Sequence, residues 1–198
     1  MPITADQVRQ LREMTGAGMM ECKKALADTA GDLEKAVDAL RKSGAAKADK
    51  RSGRSANEGR VDAYIHPGNR VGVLIEVNCE TDFVARTDEF GDLVRNVAMQ
   101  VAAAGAEYVR REDVPAERIA REREILSAQV EASGKPAAIV EKIIEGKLGR
   151  FFAEVCLLEQ PYIRDDKRTV ADIVRDAAAK TGENIVVRRF SRFRLGQD

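Results

Sequence analysis

Val61-Asp62-Ala63-Tyr64-Ile65-His66-Pro67-Gly68-Asn69-Arg70-Val71-Gly72-Val73-Leu74-Ile75-Glu76-Val77 is the stretch that decides the fold class. Val61, Ala63 and Ile65 alternate with Asp62, Tyr64 and His66, the period of two expected of a strand whose successive side chains leave opposite faces. Pro67-Gly68-Asn69 supplies turn residues, and Val71, Val73, Ile75 and Val77 run back with the same alternation. The stretch predicts a β-hairpin and therefore an antiparallel sheet.

On either side the period changes to that of helices. Before the hairpin, Thr4 and Gln7 have the form of a capping box opening a short helix with Val8 and Leu11 on one side. Thr15-Gly16-Ala17-Gly18 interrupts it, a second helix runs from Met19 to about Asp28, and Gly31 breaks that one. Asp32 can cap a third, whose Leu33, Ala36, Val37 and Leu40 keep helical spacing until Gly44. Three short helices without an aromatic residue read as a small module packed around Leu, Val and Met, marginal on its own. Residues 45–59 carry almost no large apolar side chains, which predicts a basic linker. The expected division is a three-helix module over 1–54, a linker to about 59, and a core over 60–198.

After the hairpin, Asp88 is positioned to cap an amphipathic helix bearing Phe90, Leu93, Val94, Val97 and Val101. Pro115 starts another, and residues 110–124 hold ten charges, so much of its surface is solvated. Gly134-Lys135-Pro136 is expected to reverse the chain into a helix lined by Ile139, Val140, Ile143, Ile144 and Leu148, making an antiparallel coiled hairpin over 115–149. A helix from Thr169 to Thr181 and a strand from Ile185 to Phe193 complete an α+β fold with a small antiparallel sheet.

Composition narrows the functional classes. With 198 residues, 44% hydrophobic and 33% charged, the chain has the means for a packed core, and 33 basic against 33 acidic side chains give no net field toward nucleic acid or anionic membrane. Residues 1–56 nevertheless carry a surplus of three positive charges and the remainder three negative. The cysteines Cys22, Cys79 and Cys156 have neither metal-ligand spacing nor a disulfide pattern, which suits a reducing compartment. No stretch approaches the roughly 18 apolar residues needed to cross a bilayer. The expectation is a soluble, cytoplasmic protein with no membrane contact.

Candidate chemistry is sparse. His66 stands alone beside a turn, without a nucleophile or an orienting group at useful spacing. Gly16-Ala17-Gly18 follows no strand and precedes no Gly-Lys-Ser/Thr, so it reads as a helix–helix turn and not a phosphate loop. Arg188-Arg189-Phe190-Ser191-Arg192-Phe193-Arg194 interleaves charge with rings and could stack on single-stranded RNA. The same pattern arises when a strand buries Phe on one face and exposes Arg on the other, and no direct nucleic-acid contact is expected. Neither catalysis nor a cofactor or metal site is indicated. Two features resist a bland account. Met19, Cys22 and Leu26 share a helical face that is the natural core, whereas Met20 lies about 100° away, open between a stray surface residue and a partner contact. Thr81-Asp82-Phe83-Val84 turns the chain just after a strand, where Phe83 could point outward, although a Phe ordinarily folds back into the core.

Leu11-Arg12-Glu13-Met14-Thr15-Gly16-Ala17-Gly18-Met19-Met20-Glu21-Cys22-Lys23-Lys24-Ala25-Leu26 resembles the opening signature of the elongation factor Ts family. Asn78-Cys79-Glu80-Thr81-Asp82-Phe83-Val84-Ala85 resembles its second signature, Gly134-Lys135-Pro136 with Glu145-Gly146 its coiled-coil hairpin, and Gln160-Pro161-Tyr162 its returning segment. The resemblance implies a UBA-like N-terminal module and a partner, the GTPase elongation factor Tu, from which GDP is released so that GTP can bind. It implies that Thr81, Asp82, Phe83 and Val84 reach the GTPase near its Mg²⁺ site, Phe83 as a wedge. It implies further that Arg12, Met19 and Met20 hold the nucleotide-binding domain from another side. Longer members carry two core subdomains where this sequence shows one, so a homodimer is expected, pairing through an unpaired sheet edge.

Overall fold

The structure, a computed structural model, describes residues 3–131 and 136–197. Its first half contains α1 (Ala5–Thr15), α2 (Met19–Asp28), α3 (Leu33–Arg51), β1 (Glu58–Ile65), β2 (Val71–Cys79), α4 (Asp82–Ala85) and α5 (Asp88–Ala104). Then come α6 (Ala116–Glu131), α7 (Ala137–Val155), β3 (Pro161–Tyr162), β4 (Asp165–Thr169), α8 (Val170–Thr181) and β5 (Val186–Arg194). The chain is an α+β protein that gathers into two compact units.

One unit comprises the chain up to Gly59 together with Asn78–Gly91 and Val174–Val186. Its first helix begins with the expected capping box: Thr4 Oγ1 accepts from Gln7 N at 3.3 Å while Gln7 Oε1 accepts from Thr4 N at 3.0 Å. Gly16, in the left-handed region at φ 68°, closes α1 by donating its N–H to the Arg12 carbonyl. Gly31 at φ 86° lets the chain turn from α2, and the Asp32 carboxylate accepts from Lys35 N to start α3. Val8, Leu11, Cys22, Ala25, Leu26 and Ala36 form the buried cluster among these helices. Methionine takes no part in it: Met14, Met19 and Met20 are all exposed.

The third helix does not stop at Gly44 but continues to Arg51. Ala45-Ala46-Lys47-Ala48-Asp49-Lys50-Arg51 lacks large apolar side chains, yet most of its residues are strong helix formers, and propensity carries the helix past the glycine. Gly44 serves close approach instead: a Cβ built there would stand 3.1 Å from the Ala179 Cβ on α8. Arg175 reaches Asp49 at 3.3 Å along the same contact. At the start of α5 the cap is Thr87, whose Oγ1 accepts from Phe90 N at 3.2 Å. The expected Asp88 is already the first helical residue, where its charge favours the helix N-terminus.

The other unit holds Arg60–Val77, Asp92–Ile173 and the chain from Val187. Its sheet has the order β1-β2-β5. Val73, Ile75 and Val77 are buried, as the alternation predicts. On β1 the apolar set lies on the open side, with Val61 66% and Ile65 59% exposed. Beside Ile65, Gly72 is packed so closely that an added Cβ would come within 3.1 Å of Ile65 Cδ1. The helices α6 and α7 form the antiparallel hairpin, with Leu126, Val130, Ile144, Leu148 and Phe152 in its buried seam. Arg123 pairs across it with Glu141 at 2.7 Å and with Glu145. The expected reversal at Gly134 and Lys135 lies outside the described residues.

A short hairpin of β3 and β4 carries no signal of alternation in the sequence. It hangs on Gln100, which is fully buried: its Nε2 donates to Gln160 Oε1 and the Pro161 carbonyl, and its Oε1 accepts from Ile163 N. Every polar atom of that amide thus has a partner, as burial demands. At the base of α6, Glu107 hydrogen-bonds Arg118, which holds the carboxyl below its usual range and the guanidinium above its own.

Candidate functional site

The segment after β2 is a full helical turn and not an irregular loop. Thr81 is its N-cap, extended at φ −128° and ψ 154°, and its Oγ1 accepts from Val84 N at 3.4 Å. Ala85 N donates to the Thr81 carbonyl and Arg86 N to that of Asp82. Ala85 is buried and Val84 half-buried. With about 100° between successive residues, Phe83 then lies some 200° from Ala85 and must face away. Its ring is 81% exposed, in place of the core position that a Phe ordinarily takes. Asp82 forms a 3.0 Å ion pair with Arg86, which holds the carboxylate beside the ring on this turn.

The same turn is braced from far along the chain. Glu183 Oε2 accepts from the backbone N–H of both Glu80 and Thr81 at 3.0 Å, and Glu183 Oε1 accepts from the Thr81 hydroxyl at 2.6 Å. The next residue continues the brace. Asn184 N donates to Glu80 Oε1 at 2.6 Å, and its buried side chain donates to the carbonyls of Ser52 and Arg54. Beneath the turn, Cys79 Sγ donates to the Thr81 carbonyl at 3.1 Å, and burial together with the charge of Glu183 pushes its thiol pKa up.

The N-terminal candidates lie in the same compact unit. Arg12 is exposed in the last turn of α1, and Met19 and Met20 are the first two residues of α2, 46% and 75% exposed. Met20 is outward as its angle predicts. Met19 departs from the face it shares with buried Cys22 and Leu26. At the first helical position a side chain leans past the helix end, beyond the layer where the other helices meet it. Met14, also exposed, adds to the apolar character around the Gly16 turn.

The other candidates have local partners. His66 Nδ1 lies 3.1 Å from the Tyr64 hydroxyl. The three thiols are buried, and burial pushes that of Cys156 up to about 11, far from a thiolate at neutral pH. In the C-terminal strand, Arg189 is paired with Glu76 at 2.7 Å. Among the described residues no three His, Cys, Asp or Glu side chains are grouped to hold a metal ion, and no helix is long and apolar enough to cross a membrane.

Sequence reasoning singles out Thr81 to Val84 but not Glu183 and Asn184, whose hydrogen bonds hold that turn. Gly182-Glu183-Asn184 reads locally as a helix end, and nothing nearby in sequence points to a turn 102 positions away. The candidates thus present a ring on α4 and two thioethers at the start of α2, all exposed.

Comparison with known proteins places the chain among the elongation factors. A family model described as elongation factor TS matches residues 47–197. Elongation factor Ts of Carboxydothermus hydrogenoformans is 60% identical over 98% of this chain and 90% of its own length. That of Moorella thermoacetica is 61% identical over 98% and 96%, and that of Geobacter sulfurreducens 56% identical over 100% and 91%. The chain belongs to the elongation factor Ts family.

Proposed function

We propose that the chain is a guanine-nucleotide exchange factor for elongation factor Tu in translation elongation, acting in the cytoplasm by binding and not by covalent catalysis. The observation that carries this reading is Phe83, 81% exposed on a capped turn whose backbone is hydrogen-bonded to Glu183. Met14, Met19 and Met20 are exposed in the same unit, and exposed aromatic and methionine side chains are the residue types enriched where proteins meet partners. The N-terminal module, residues 1–54, grips the nucleotide-binding domain through Arg12, Met19 and Met20. Phe83, flanked by Thr81, Asp82 and Val84, enters the GTPase beside its Mg²⁺ site. Mg²⁺ bridges the nucleotide phosphates to the GTPase, so disturbing its oxygen ligands removes strong contacts to GDP. Linkage makes the effect mutual: this protein weakens GDP binding by the factor by which GDP weakens its own binding.

We further propose a homodimer with no direct contact to nucleic acid or membrane and a coiled helical hairpin standing beside the sheet. Strands β1 and β5 are the sheet's edges among the described residues, and β1 presents Val61 and Ile65 to solvent. A second copy offers the same edge and the same side chains, the self-complementarity that a two-fold interface needs.

The deciding measurement is release of labelled GDP from elongation factor Tu with and without the chain, in excess unlabelled nucleotide. Release that quickens with chain concentration and then saturates is the expected result; a rate unchanged at saturating chain would end the proposal.

A further inference from the structure

Resting on the exchange-factor reading, we infer that Glu183 is the positioning residue of the exchange turn, setting the direction in which Phe83 is presented. The geometry converges on one carboxylate. Oε2 takes the N–H groups of Glu80 and Thr81, both at 3.0 Å, and Oε1 takes the Thr81 hydroxyl at 2.6 Å. The hydroxyl has one proton, which it donates in the hydrogen bond to Glu183 Oε1. A lone pair is thereby aimed at Val84 N, closing the cap of α4 at 3.4 Å. Glu183 thus acts through a relay: carboxylate to hydroxyl, hydroxyl to helix cap, cap to the ring one residue before Val84.

A carboxylate suits this role because both of its oxygens accept and its charge strengthens all three bonds. Glutamine would turn an NH₂ toward either the two amides or the hydroxyl, and aspartate falls short by one methylene. Asn184 extends the same support to the end of α3 by donating to the carbonyls of Ser52 and Arg54. The two residues after Gly182 therefore tie the exchange turn to the helix that closes the N-terminal module.

The test uses the intact chain and the variants E183Q, T81V and F83A. In the isolated protein, E183Q is expected to speed hydrogen exchange at the Glu80 and Thr81 amides about tenfold or more, as charge-assisted hydrogen bonds are lost. With elongation factor Tu carrying GDP, E183Q is expected to slow stimulated release roughly tenfold while changing association with the GDP-bound GTPase by less than about threefold. T81V removes only the relay hydroxyl and is expected to reproduce the loss. Because all act along one path, E183Q on the F83A background should add little further slowing. A merely structural role predicts full additivity with F83A and a matched loss of association, and either result overturns the inference. So does normal protection of the two amides in E183Q, or slow release in F83A with wild-type release in E183Q. If F83A itself stimulates GDP release at the wild-type rate, the wedge role of Phe83 is what fails, and amide protection still decides whether Glu183 holds the turn; the exchange reading fails only if the parent chain leaves release unchanged.

Discussion

Phe83 and Met20 are both exposed apolar side chains, but the roles proposed for them predict different defects. Truncating an anchor loses binding in every state of the partner, so Met20→Ala is expected to weaken complex formation by about 2 kcal/mol. Phe83 is proposed to interact better with the open, nucleotide-poor GTPase, so Phe83→Ala should slow stimulated GDP release more than it weakens association. A differential contact of about 2–3 kcal/mol corresponds to roughly 30- to 150-fold in release. Neither change should lower the melting temperature by more than a degree or two, since neither side chain is in the core; a large fall in melting temperature with normal release by the folded fraction would remove the wedge. Of these residues, Met20 was legible as outward from helical angle alone. Phe83 was not, because its direction depends on Ala85 being buried beneath the turn and on a carboxylate 102 positions away. Local periodicity contains neither fact.

Among the elements, most helices could be read from caps and spacing, and the errors share one cause. Gly44 reads locally as a stop, whereas in α3 its lack of a side chain lets α8 approach. Gly44→Leu is therefore expected to destabilise by about 1–3 kcal/mol through overpacking against Ala179. For a chain of this size each kcal/mol moves the melting temperature by about 2–4 °C. A melting temperature equal to that of the parent would show that the helices do not meet there. The face of β1 illustrates the same limit. Alternation correctly announces a strand, but Val61 and Ile65 prove to be on the open side. Period-two patterning says that two faces differ, and only tertiary context says which one is covered. The β3–β4 hairpin escaped notice because two- and five-residue strands are too short to show a period.

For the whole molecule, the fold class followed from one hairpin and the surrounding helical spacing, whereas assembly depends on surfaces whose exposure only three dimensions reveal. The proposed homodimer predicts a mass by light scattering near twice 21.7 kDa at micromolar concentration. Val61→Lys with Ile65→Lys should return it to a monomer without unfolding it, because both side chains face outward. A parent chain that already scatters as a monomer would defeat the proposal. The division into two units carries a different lesson, about time. The unit bearing Phe83, Met19 and Met20 is drawn from three separated stretches, the last being Val174–Val186. On the ribosome its first three helices can nucleate through local contacts as they emerge, but Glu183 is made 102 residues after the Thr81 that it braces. Closing that long loop is an entropic step that the early helices cannot take for themselves. A chain stalled before Val174 would hold three helices with their α8-facing side bare, so the first stretch of this unit must wait for one made long after it.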